Sequence, residues 1–135
     1  MRILYAFICE EASSREDGRL DAGGLFNQLY APGFPAQQDR LVLTVAMEWT
    51  PEETGRHHFK IDLVDPSRSP CLTINGWSDV EPVAEGSPPN QTRLVMPLEE
   101  VVFPTAGKYE FVLEVNAQEH VLAPLYLLVL PGEMN

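Results

Sequence analysis

The chain has 135 residues, 44% of them hydrophobic and 21% charged, and a net charge of −11 with only nine Lys and Arg. That length makes one domain, residues 1–135, with room for a core that needs no staples. The acidic balance excludes a nucleic-acid partner and an anionic membrane surface, since both call for clustered basic side chains.

Twelve prolines and nine glycines sit between apolar runs, the pattern of short strands joined by turns. The first strand is expected over residues 2–9, with Ile3, Tyr5 and Phe7 on one face and Leu4, Ala6 and Ile8 on the other. Both faces are apolar, so both need cover. The run meets Glu10-Glu11 with no small-residue cleavage site after it, unlike a secretory leader. No stretch reaches the ~18 apolar residues of a membrane span, so a cytoplasmic protein is expected. A polar loop over residues 10–19 turns at Asp17-Gly18, and a second strand covers residues 20–30. Gly23-Gly24 inside it signals a bulge or a close backbone approach. Ala31-Pro32-Gly33-Phe34-Pro35 cannot join a ladder and reads as a connection between sheets, with Phe34 plugging one end of the core.

The third strand, residues 41–49, turns Leu41, Leu43, Val45, Met47 and Trp49 one way and Val42, Thr44, Ala46 and Glu48 the other. A fourth strand over residues 58–64 buries Phe59, Ile61 and Leu63. Asp65-Pro66 opens a turn before a short fifth strand, residues 71–75. Residues 78–91 are rich in acid and proline, the longest expected loop and the candidate for disorder. A sixth strand covers residues 92–98. The final hairpin puts Tyr109, Phe111, Leu113 and Val115 on a buried face and Lys108, Glu110 and Glu114 on a wet one. Gly107-x-Tyr109 is similar to the tyrosine corner of immunoglobulin-like sandwiches, whose phenol bonds back to nearby backbone. The expectation is an all-β, immunoglobulin-like antiparallel β-sandwich of about eight strands.

Candidate chemistry is sparse. Cys9 and Cys71 lie in apolar strands without a neighbouring base, so buried, inert thiols in a reducing compartment are expected. Ser13-Ser14 lacks a nucleophile-elbow frame. His57 and His58 are adjacent on a strand and point to opposite faces, and His120 is alone, so no zinc site is expected. The acidic doublets Glu10-Glu11, Glu52-Glu53 and Glu99-Glu100 diverge in an extended chain and make no acid–base pair. No catalytic residue, cofactor or metal is expected, and the protein is read as a non-enzyme.

The first and last strands are apolar on both faces. Laid side by side in one sheet, they would give an outer surface of Leu4, Ile8, Leu122, Tyr126 and Leu128. That surface is the expected interface of a protein-interaction module whose partner is a second copy, a homodimer. The competing arrangement folds residues 26–40 over it. The alternative function is a ligand-binding module for carbohydrate or calcium, with Trp77 as an exposed platform beside the acidic loops.

The succession Ile8-Cys9-Glu10-Glu11, Asp17-Gly18-Arg19-Leu20, Gly24-Leu25-Phe26 and Ala31-Pro32-Gly33-Phe34-Pro35 resembles a family of small uncharacterised bacterial proteins. The likeness continues through Leu63-Val64-Asp65-Pro66, Phe103-Pro104 and Gly107-Lys108-Tyr109-Glu110-Phe111. It implies a stand-alone β-sandwich of unknown function in a bacterial cytoplasm, and it supplies no catalytic residue. Phe111 stands where antibody domains carry a cysteine, so no inter-sheet disulfide is expected there.

Overall fold

The computed structural model describes residues 1–131. Its strands are β1 (Arg2–Ser14), β2 (Leu20–Leu25), β3 (Gln28–Ala31), β4 (Ala36–Glu48), β5 (Gly55–Val64), β6 (Pro70–Val80), β7 (Gln91–Phe103), β8 (Gly107–Val115) and β9 (Gln118–Val129). They form a four-stranded sheet in the order β2-β1-β4-β7 and a five-stranded sheet in the order β3-β9-β8-β5-β6. Every pairing is antiparallel except β3 with β9, which is parallel. The two sheets seal one core between them, so the all-β sandwich holds. No helix among the described residues is long and apolar enough to cross a membrane.

Alternation explains the core. Leu41, Leu43, Val45 and Met47 of β4 face Phe59, Ile61 and Leu63 of β5 and Tyr109, Phe111, Leu113 and Val115 of β8, and all are buried. The phenol of Tyr109 bonds back to the backbone of Thr105, as Gly107-x-Tyr109 predicts. The other side of β4 is closed as well. Val42, Thr44 and Ala46 are at most 1% exposed. They are small residues on a central strand, with Phe7 and Tyr5 of β1 paired beside Thr44 and Ala46, and Val95 and Pro97 of β7 on the far side.

Among the described residues nine strands stand where about eight were expected, because residues 20–30 are not one strand. The chain pairs with β1 as β2, crosses at Phe26-Asn27, and pairs with β9 as β3. Residues 32–35 then return it to the first sheet, with Phe34 packed against the core. β1 also runs five residues past the expected end at residue 9, to Ser14, and its turn shrinks to residues 15–19, closed by Gly18 N–H to the Arg15 carbonyl at 3.0 Å. β6 extends to Val80, and Asn90 Nδ2 donates to the Glu81 carbonyl across the base of the loop that follows.

Three bulges break the period of two. The register steps over Leu4 between Ile3↔Met47 and Tyr5↔Ala46, over Cys71 between Leu63↔Leu72 and Val64↔Pro70, and over Leu122 between Phe111↔Ala123 and Val112↔Val121. An extra residue shifts every later side chain to the other face. Ile3 therefore shares the inner face with Ala6 and Ile8, not with Tyr5 and Phe7. Cys71, an extra residue on an edge strand, is exposed rather than buried.

Candidate functional site

The side of the sandwich formed by β1 and β9 is only half closed. β2 pairs with β1 from Cys9 to Ser14, and β3 pairs with β9 only at residues 126–129. The crossing between them stitches both sheets at one level: Phe26 N–H donates to the Ile8 carbonyl at 3.0 Å, and Tyr126 N–H to the Asn27 carbonyl at 2.8 Å. Beyond that level the edges of β1 and β9 approach each other but have no hydrogen-bonded strand beside them. A groove of about 360 Å³ opens there, lined by Ala6, Phe7 and Ile8 on one wall, Leu122 and Pro124 on the other, and Phe26 at its head.

The outer face of the first sheet continues this apolar surface. Tyr5 and Phe7 stack at 5.8 Å with 22° between their planes. Leu25, paired with Cys9, is 60% exposed next to them. Cys9 is buried and donates from Sγ to the Glu11 carbonyl at 3.3 Å. Burial pushes its thiol up, so it stays protonated and unreactive at neutral pH.

The five expected interface residues do not share a surface. β1 and β9 belong to opposite sheets and face each other across the side of the sandwich, so they are not neighbours in one sheet. Ile8 is 2% exposed and belongs to the core. Leu4 and Leu122 are the extra residues of two bulges, and Leu122 lines the groove. Tyr126 and Leu128 lie elsewhere, on the outer face of the second sheet, paired with Gln28 and Tyr30 of β3. Of residues 26–40, Phe26 and Leu29 pack against the core, residues 28–31 pair with the edge of β9, and residues 36–40 belong to β4. Sequence reasoning missed Tyr5, Phe7 and Leu25. The charge-free run over residues 3–9 was the visible signal for Tyr5 and Phe7, but the bulge hid which side chains share a face.

Trp77 is exposed, as expected of a platform, and stands opposite His58 on the outer face of the second sheet. The Arg56 guanidinium lies 5.0 Å from its ring centroid and is held by two bonds to Asp79, at 2.8 and 3.1 Å. The same bonds keep the Asp79 carboxyl below the usual carboxylate range. His57 turns the other way. Its ring stacks on Trp49 at 4.6 Å, with Nε2 2.7 Å from the Glu53 carbonyl and Nδ1 3.1 Å from Asn116 Oδ1. Among the described residues no three His, Cys, Asp or Glu side chains converge as metal ligands would.

A family of unknown function, DUF6941, matches residues 4–128, from the first bulge into the last strand. The chain belongs to the DUF6941 family. No curated protein matches it. The match takes in both walls of the half-open side of this DUF6941 domain and the Phe26-Asn27 crossing that divides it.

Proposed function

We propose that this DUF6941 chain is a non-enzymatic protein-interaction module that self-associates through the half-open side of its sandwich. One observation carries the proposal: both strands at that side run past their pairing partners, and the uncovered part of β1 is apolar from Ile3 to Ile8. Tyr5, Leu25 and Val121 are 38%, 60% and 60% exposed around it. On a chain with a net charge of −11, an apolar surface of that kind is one that a partner covers. The proposal extends to an immunoglobulin-like ancestry. Support comes from the Tyr109–Thr105 bonds at the β7–β8 corner and from the partition of β4-β7 against β9-β8-β5-β6. It also extends to a bacterial cytoplasm, which suits two unpaired cysteines. Light scattering across the micromolar range tests self-association. A mass rising from 15.1 kDa toward twice that value supports it, and a constant single-chain mass refutes it.

A second reading rests on Trp77. An exposed indole flanked by Arg56 and His58 is a surface on which a sugar ring can stack, and the polar neighbours can bond its hydroxyls. Thermal melts with a panel of soluble glycans test it, since a ligand held by the native state raises the midpoint. Calcium is the weaker form of that reading, because the acidic loops bring no three carboxylates together among the described residues.

A further inference from the structure

We propose that residues 2–8 of β1 pair antiparallel with the same residues of a second copy, joining two four-stranded sheets edge to edge. This rests on the self-association reading and names the segment that carries it. A free strand edge presents unpaired N–H and C=O groups, and folded β proteins guard such edges with charge, proline, glycine irregularity or shortness. The edges of this molecule follow that rule with one exception. β2 carries Asp21 and Gly24, the latter at φ +68°. β3 is four residues long. β6 has Pro70, Gly76 and Asp79, and β7 has Arg93, Pro97, Glu99 and Glu100. The uncovered part of β9 holds Glu119 and Pro124. The uncovered part of β1 has neither charge nor proline nor glycine from Ile3 through Ile8. It is also the stretch of highest β propensity on any edge, with Ile3, Tyr5, Phe7 and Ile8. The bulge at Leu4 is its one guard, and residues 5–8 beyond it keep a regular register with β4.

The occupant that fits best is this same strand. Antiparallel pairing of two copies about a two-fold axis is self-complementary. It sets the stacked rings of Tyr5 and Phe7 against the same two rings of the partner, on the outer face. It also matches charge. Arg2, paired with Glu48 of its own chain at 2.9 Å but with a side chain still 72% exposed, begins the strand, and Glu10 and Glu11 follow its uncovered part. Antiparallel alignment brings the basic start of each copy toward the acidic end of the other, whereas parallel alignment would oppose like with like. β2 occupies the edge from Cys9 onward and the Phe26 N–H takes the Ile8 carbonyl, so the new pairing is limited to the Ile8 N–H and the six residues before it.

The test uses the whole chain. Tyr5→Lys places a guarding charge on the exposed face of the edge, and Leu128→Lys places one on the outer face of β9. Light scattering at about 100 μM is expected to give two chains for wild type and for Leu128→Lys, and one chain for Tyr5→Lys. In wild type, raising the concentration through the dimer transition is expected to slow amide exchange on the order of tenfold or more at the edge-facing N–H groups of residues 2–8. That measurement stands even if a variant fails to fold. A dimer that survives Tyr5→Lys, or exchange in residues 2–8 that ignores concentration while the mass doubles, overturns the edge pairing and leaves self-association standing. A wild-type mass of one chain overturns both.

Discussion

The phenol of Tyr109 makes two hydrogen bonds to one residue. It donates to the Thr105 carbonyl at 2.8 Å and accepts from the Thr105 N–H at 3.1 Å. The ring is fully buried, edge-on to Phe103 at 5.1 Å and 88°. The corner between β7 and β8 is therefore held by one side chain that satisfies two backbone groups. Tyr109→Phe keeps the ring and strands both, with an expected loss of about 1–3 kcal/mol. Urea unfolding checks this: the midpoint should fall with an unchanged slope. A midpoint equal to wild type would mean that water replaces the phenol without cost.

Gly76 on β6 lies under the ring of its cross-strand partner Phe59. A Cβ at Gly76 would sit 2.6 Å from Phe59 Cζ, inside any real contact. Gly76→Ala is expected to cost about 1–3 kcal/mol by overpacking. The cost should largely vanish in a Phe59→Leu background, where the ring is gone. A double-mutant cycle measures that coupling. Additive effects would show that the ring swings aside freely.

The β8–β9 hairpin turns on Asn116 and Ala117, at φ +53° and +63°. Two positive φ values make the turn that suits the right-handed twist of a hairpin, and its second position favours glycine. Alanine there holds a conformation that its Cβ disfavours. Ala117→Gly is therefore expected to stabilise the protein by roughly 0.5–1 kcal/mol, the relief exceeding the extra freedom of the unfolded chain. A lowered melting midpoint would contradict this.

The Met1 ammonium lies 2.6 Å from Glu53 Oε1, which also accepts from Thr50 N–H at 2.8 Å. Burial works to raise the Glu53 carboxyl, but the N-terminal ammonium and the Thr50 bonds outweigh it and hold it below its ordinary 4.5. A carboxyl depressed by folding contributes stability that is complete above its unfolded pKa and is lost as pH falls through the folded one. Glu53→Gln is thus expected to be less stable than wild type near pH ~7, with the gap closing toward pH ~3. Denaturant melts at the two pH values check it. A gap that stays constant would assign Glu53 a role independent of its charge.

The sandwich was legible where alternation runs undisturbed. β4, β5 and β8 set their large apolar side chains two apart, and these are the residues that fill the core. The turn at Gly18, the sheet-to-sheet connection after Ala31 and the corner at Tyr109 were legible because glycine, proline and tyrosine act there through their own backbone or hydroxyl chemistry. Three bulges were not legible. An extra Leu, Cys or Leu in an apolar run looks like any other apolar residue, yet Leu4, Cys71 and Leu122 each reset which side chains face the core. The crossing at Phe26-Asn27 was hidden as well, since neither residue interrupts a strand and only pairing with two different sheets separates β2 from β3. The candidate site sits where the Leu122 bulge and the crossing meet. Its parts were visible as an uncharged run, while its shape depended on long-range pairing that spacing does not encode.

Intermolecular NOEs in a mixed sample of isotope-labelled and unlabelled protein test the central claim most directly. Edge pairing predicts contacts from one copy to the other among residues 2–8, with the Tyr5 and Phe7 rings on both sides of the cross-peaks. Contacts confined to Tyr30, Tyr126 and Leu128, or none from any residue at a concentration where the mass has doubled, would contradict it.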